Sequence, residues 1–246
     1  MSSINKIQPA SDKLSSLLED DFVGEWNRTN TYMAYTGIIT IKNLTDKSFD
    51  FSFNGFYGAN SGTIDGTAVM TDKNKAEFKY VPEYDETVFA KVEFVFEKDS
   101  LLINLIEGDQ SALGFGHNVF IEGEYTKSEP IYLDANIINE ILPTDEIKEK
   151  IRTLLGDDVY EQMVFVIEYG IRYKVDGLTY SGFISGAGEG VDLLINDNNI
   201  YCLGYGLDAD GFVYKLYTND QDYKDKLPPF MKIERPDYKL QFVYKP

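Results

Sequence analysis

The sequence predicts a mainly β protein, α+β overall. An antiparallel meander barrel or sandwich comes first, and an α+β domain with helices and then an antiparallel sheet follows. Three observations predict this. Aromatic residues make up 14% of the chain, mostly 18 Tyr and 16 Phe, and such rings suit a pleated, half-buried surface. Period-two alternation recurs between polar turns across residues 22–126. A helical pattern interrupts it near residues 135–158, after which strands return.

Residues 1–21 read as a polar lead in which Leu14, Leu17 and Leu18 have helical spacing, enough for a short helix. From Phe22 the pattern is β. Ile39 and Ile41 alternate with Ile38, Thr40 and Lys42, and Leu44–Lys47 supplies a turn. Phe49, Phe51 and Phe53 follow at period two, opposite Asp50, Ser52 and Asn54, as a half-buried strand requires. A glycine-rich stretch spans Gly55–Gly66, and Asp72–Lys75 makes another turn. Val88, Ala90, Val92, Phe94 and Phe96 form the longest alternation. Leu101–Ile106 and Val119–Tyr125 complete the meander.

Gly24-Glu25-Trp26 at the head of these strands resembles the opening of calycin barrels, which include lipocalins, fatty-acid-binding proteins and avidins. The resemblance implies a barrel over about residues 22–126, with Trp26 across its closed end and a small apolar ligand held deeper inside. Phe51, Phe53, Val92 and Phe94 would then line the ligand cavity. In lipocalins an arginine from a late strand commonly packs on the Trp; Arg28 is too close in sequence to supply it.

The character changes at Lys127–Pro130, and a second domain is read over residues 130–246. Ala135–Leu142 has helix-forming composition. Thr144 is a candidate N-cap for a helix that places Ile147, Ile151, Leu154 and Leu155 on one face. Gly156 closes it, and Asp157-Asp158 opens another short helix. Strands are then expected at Val164–Tyr169, Ile171–Val175, Leu178–Ile184, Val191–Ile195, Ile200–Tyr205, Phe212–Tyr217 and Tyr238–Tyr244.

Composition narrows function more than any motif does. Lys and Arg total 23 against 41 Asp and Glu, a formal net charge of −18. Such a surface repels phosphate backbones and anionic lipid, so neither nucleic acid nor membrane is an expected partner. A basic protein fits better, or an unknown protein or small molecule. The N-terminus lacks an apolar signal core, and the expectation is a soluble protein, cytoplasmic as written or a secreted mature form with its signal removed. Cys202 is the single cysteine and sits in an apolar strand context, so it reads as a small buried hydrophobe.

The remaining motifs favour plain structural readings. Gly186, Gly188, Glu189 and Gly190 form a glycine-rich loop, but a strand follows where a phosphate loop needs a helix; it is a candidate interaction loop. Asp208-Ala-Asp210-Gly211 begins like a calcium loop, yet residue 217 is Tyr where a bidentate Glu belongs. Asp220, Asp222 and Asp225 read as a solvated face. His117, the only histidine, leaves no multi-His metal site and little room for a catalytic triad. Tyr201, Tyr205, Tyr214 and Tyr217 on adjacent strands offer an aromatic surface. No cofactor, metal or catalytic residue is assigned. The expected function is a non-enzymatic binding or interaction protein, such as an acidic inhibitor or immunity-type protein. The alternatives are a small-apolar-ligand carrier and a metal-independent enzyme working through carboxylates.

Overall fold

The computed structural model describes residues 22–196, 198–206 and 213–246. Its described residues divide into two compact units. One holds residues 22–31, 35–56 and 61–132; the other holds 32–34, 57–60 and those from 133 onward. The expected short helix in the polar lead, and the Asp208–Gly211 loop, lie outside the described residues.

Eight antiparallel strands close a barrel in chain order: β1 (Gly24–Arg28), β2 (Tyr35–Lys42), β3 (Ser48–Tyr57), β4 (Asn60–Asp72), β5 (Lys75–Tyr80), β6 (Ala90–Phe96), β7 (Leu101–Gly108) and β8 (Gly123–Thr126). Closure rests on the pairing of β1 with β8, Asn27 opposite Thr126 and Arg28 opposite Tyr125. The open choice between barrel and sandwich is thereby resolved in favour of the barrel.

The alternation read from β3 and β6 places Phe49, Phe51, Phe53, Val92, Phe94 and Phe96 in the interior, all buried. Glycines in β4 make room for rings. A Cβ at Gly66 would stand 2.5 Å from Phe78, and one at Gly62 equally close to Phe115. The last strand is shorter than the expected Val119–Tyr125. Val119 and Ile121 are buried, but the Phe120 and Glu122 carbonyls accept from the Arg28 guanidinium.

The second unit carries α1 (Ile137–Ile141), α2 (Asp145–Leu155) and α3 (Asp157–Tyr169), then a sheet. Its strands are β9 (Ile171–Tyr173), β10 (Tyr180–Ile184), β11 (Glu189–Ile195), β12 (Ile200–Tyr205), β13 (Val213–Thr218) and β14 (Lys239–Tyr244), in the order β14-β13-β12-β11-β10-β9. Thr144 caps α2 as expected, accepting from Ile147 N at 3.2 Å. Gly156, at φ 87°, ends that helix and begins the next.

Two expectations are corrected. Val164–Tyr169 is the second half of α3 rather than a strand. Its β-branched run suits either state in isolation, but Tyr160, Met163, Val166 and Ile167 fall on one helical face, and all four are buried. The sheet is not wholly antiparallel, because β14 runs parallel to β13. A parallel neighbour needs a long return, and residues 219–238 provide it.

Each sheet face has its own core. Met163, Val166 and Ile167 of α3 cluster with Tyr180, Val191, Leu193 and Cys202 on one face. On the other, Tyr201, Leu203, Tyr214 and Leu216 cluster with Phe230 and Met231 of the return. Among the described residues no helix is long and apolar enough to cross a membrane.

Candidate functional site

Inside the barrel, Phe51, Phe53, Val92 and Phe94 are 3%, 2%, 1% and 0% exposed. Phe51 meets Phe78 at 5.0 Å and Phe94 at 4.9 Å between ring centres. Phe49 meets Phe94 at 5.4 Å and Phe96 at 5.5 Å, and Phe53 meets Phe115 at 5.3 Å. Aromatic rings at these separations are in contact. The residues expected to line a ligand cavity therefore pack as core, each ring occupying the space beside the next.

Trp26 lies against Phe96 and donates from its indole to the Phe22 carbonyl at 3.0 Å. The Lys127 ammonium stands 5.0 Å from the indole centre and donates to Val23 O at 2.7 Å. A cation following the last strand thus covers the Trp, where arginine was expected from the resemblance. Only barrel closure brings the two together, so sequence spacing gave no sign of it. Arg28 points inward instead. It is 3% exposed and donates to two backbone carbonyls and, at 2.6 Å, to the Tyr125 hydroxyl. Burial pushes the Tyr125 hydroxyl well above its ordinary value, and its proton is held on the Ile121 carbonyl. This network ties β1 to β8 and the segment before it.

In the second unit the proposed interaction loop contracts to a turn over residues 185–188, with Glu189 and Gly190 already in β11. Glu189 accepts from the Gln162 amide at 2.7 Å. Gly190 lies beneath the Tyr205 ring, where a Cβ would stand 2.3 Å from it. Tyr201, Tyr205 and Tyr214 share the sheet face opposite the helices, but Tyr217 packs among the helices. Parity explains the split: residues 201 and 205 are an even step apart on one strand, 214 and 217 an odd step.

Asp220 accepts from the Tyr201 hydroxyl and from the Asn199 amide, and caps the turn at Asp222 N. Asp222 and Asp225 are exposed, as is His117 in its turn. Burial pushes the Cys202 thiol up to about 12, which leaves it an inert core group.

The outer face of α3 differs from all of these. Asp158, Glu161, Phe165 and Tyr169, at steps of three, four and four, lie along one exposed stripe, with Glu168 beside it. Phe165 is 45% and Tyr169 38% exposed, their rings 5.0 Å apart. The helix contains no Lys or Arg. Among the described residues only Asp157 of its carboxylates has an ion pair, to Arg152 at 3.1 Å. Unpaired charge thus borders solvent-facing aromatic area. A strand over Val164–Tyr169 conceals this stripe, because strand geometry would send Phe165 and Tyr169 inward with Ile167.

An acidic cleft of about 330 Å³ on the first unit is the nearest competitor, lined by Glu97, Asp99, Glu124 and Glu129. There Lys98 lies 4.0 Å from Asp99, the Asn30 amide donates to Glu124 at 2.6 Å, and Ile131 is the only hydrophobic residue in the lining. Comparison with protein-family models, curated proteins and solved structures finds no match to the chain.

Proposed function

We propose that the chain is a non-enzymatic binding protein that receives a basic protein segment on the acidic, aromatic face of α3. The uncompensated stripe from Asp158 to Tyr169 carries this reading. Exposed rings beside carboxylates offer a lysine or arginine two favourable terms, an ion pair and a cation–π contact, while the aliphatic stem covers ring area. The net charge of −18 adds long-range attraction that speeds encounter with a basic partner. An acidic inhibitor or immunity-type role, in which occupying a basic target surface blocks it, follows naturally from such complementarity.

The closed eight-strand barrel, with Trp26 beneath a cation that follows its last strand, supports a calycin-like origin for the first unit. Its ring-filled interior supports a scaffold role over ligand carriage.

The test is calorimetric titration of the full chain with a designed amphipathic helical peptide bearing arginines and leucines. Binding is expected to weaken steeply between low and high salt, since exposed charges are screened. Glu161→Gln with Glu168→Gln should cost about tenfold in affinity. The same neutralisation at Glu83 and Glu86, exposed acids elsewhere, should cost far less. Equal losses from the two pairs would reduce the interaction to net charge and remove the site.

A further inference from the structure

One end of the second unit's sheet borders a cleft of about 800 Å³, which lies between α2 and the strand ends of β11, β12, β13 and β14. That volume falls within the range of about 300–1,000 Å³ usual for small-ligand sites. Ile147 and Leu154 of α2 face it, as do Ile195 and Ile200 where β11 gives way to β12. Leu154 and Ile200 belong to the helix-side core, and Ile147 and Ile195 pack against it. The floor of the cleft is therefore apolar and continuous with that core.

The rim at the strand ends is held by hydrogen bonds. The Asn196 carboxamide oxygen accepts from the N–H groups of Asn198 at 3.2 Å and Asn199 at 2.8 Å. Asn219 accepts from Ile200 N at 2.7 Å and donates to Asn198 O at 3.1 Å. These bonds leave the Asn196 amino group and the Asn198 carboxamide unpartnered among the described residues, and both side chains line the cleft.

Charge enters from two sides. On α2, Lys150 reaches back one turn to Glu146 at 2.9 Å, so Glu149 has no partner among the described residues. Lys245, just beyond β14, spans to the helix and donates to Thr153 O at 3.2 Å. An ammonium has three donors, and Lys245 has no carboxylate partner among the described residues. One carboxylate and one ammonium thus border the same apolar floor, each without an opposite charge. A monoanion would meet Glu149 and a monocation would meet Lys245; a ligand with a charge at each end suits both.

Spacing sets its length. Glu149 precedes Thr153, the anchor of Lys245, by about one helical turn, or about 5.4 Å of rise, and the two side chains add their own reach. An extended peptide spans about 3.3–3.6 Å per residue, so two or three residues match.

We propose that this cleft binds a peptide of two or three residues with apolar side chains. Its free ammonium meets Glu149, its free carboxylate meets Lys245, and the Asn196 and Asn198 carboxamides bond to its backbone. The inference stands apart from the α3 reading, because no described residue of α3 lines the cleft.

The experiment is calorimetric titration of the full chain with Leu-Ala-Leu and with its N-acetylated and C-amidated forms. Saturable binding of the free peptide is expected, weakened about tenfold by either cap, since each removes one charge-assisted contact. Net charge alone predicts the opposite for amidation, because a cationic peptide is drawn to a chain of charge −18. Lys245→Gln should bind the free and amidated peptides alike, and Glu149→Gln the free and acetylated peptides alike. Both side chains are exposed, so folding should survive; Glu83→Gln, an exposed acid of the first unit, should match wild type. Absence of saturable binding by the free peptide overturns the proposal. So does wild-type binding that neither cap weakens, or cap sensitivity that persists unchanged in both variants.

Discussion

The Lys127 ammonium lies 5.0 Å above the Trp26 ring and is anchored on Val23 O, 104 residues away in sequence. The contact closes the end of the barrel where the first and last strands meet. An exposed cation–π pair contributes about 0.5–1 kcal/mol. Lys127→Ala should therefore lower stability by about 1 kcal/mol and shift the emission of the single tryptophan. Urea unfolding followed by fluorescence and by circular dichroism checks both. No change in emission would show that the ammonium does not rest on the ring in solution.

Arg28 and Gly123 are fitted to one another. A Cβ at Gly123 would stand 2.2 Å from the Arg28 guanidinium, and Gly123 already adopts φ 145°. Gly123→Ala should thus cost upwards of about 2 kcal/mol, combining strain with displacement of a buried donor. Gly114→Ala, at φ 69° with nothing within 4 Å, should cost only about 1 kcal/mol. Thermal melts of the two variants test the difference directly.

Arg28→Lys should not rescue the network. One ammonium lacks the planar fork that reaches two carbonyls and the Tyr125 hydroxyl together. A loss of about 2–4 kcal/mol is expected, measured as a lower urea midpoint at unchanged slope.

Asp192 sets a pH dependence with a definite sign. Burial raises its folded-state value above 3.8, so the folded chain holds the proton more tightly than the unfolded chain does. That contribution is fully present below the unfolded value and is lost as pH rises through the folded one. Asp192→Asn removes the titration, and its stability relative to wild type should be greater at pH 7 than at pH 3.5. Paired urea curves at the two pH values, in amine-free buffer, are the check. A constant difference between variant and wild type would mean that the carboxyl is not buried as described.

Much of the fold was legible because burial imposes periodicity. Phe49, Phe51 and Phe53 announced an inward face, and Thr144 with Gly156 marked both ends of α2 through their backbone chemistry. Other features depended on tertiary closure. Lys127 over Trp26 and Arg28 against Gly123 join segments whose proximity no local pattern encodes. Val164–Tyr169 was misread for a different reason: Val, Phe, Val and Ile satisfy strand propensity, and only the burial of Met163 and Tyr160, one and two turns before Ile167, fixes the helix. That one error concealed the stripe on which the functional reading rests.

The most direct test of that reading changes ring area without changing charge. Phe165→Ala with Tyr169→Ala leaves every carboxylate of α3 in place, and the two side chains are exposed enough that folding should survive. Titrated with the arginine–leucine peptide, the double variant should bind about tenfold more weakly than wild type with the same salt dependence. Affinity equal to wild type would contradict the account, because a partner seated on this face must touch those rings.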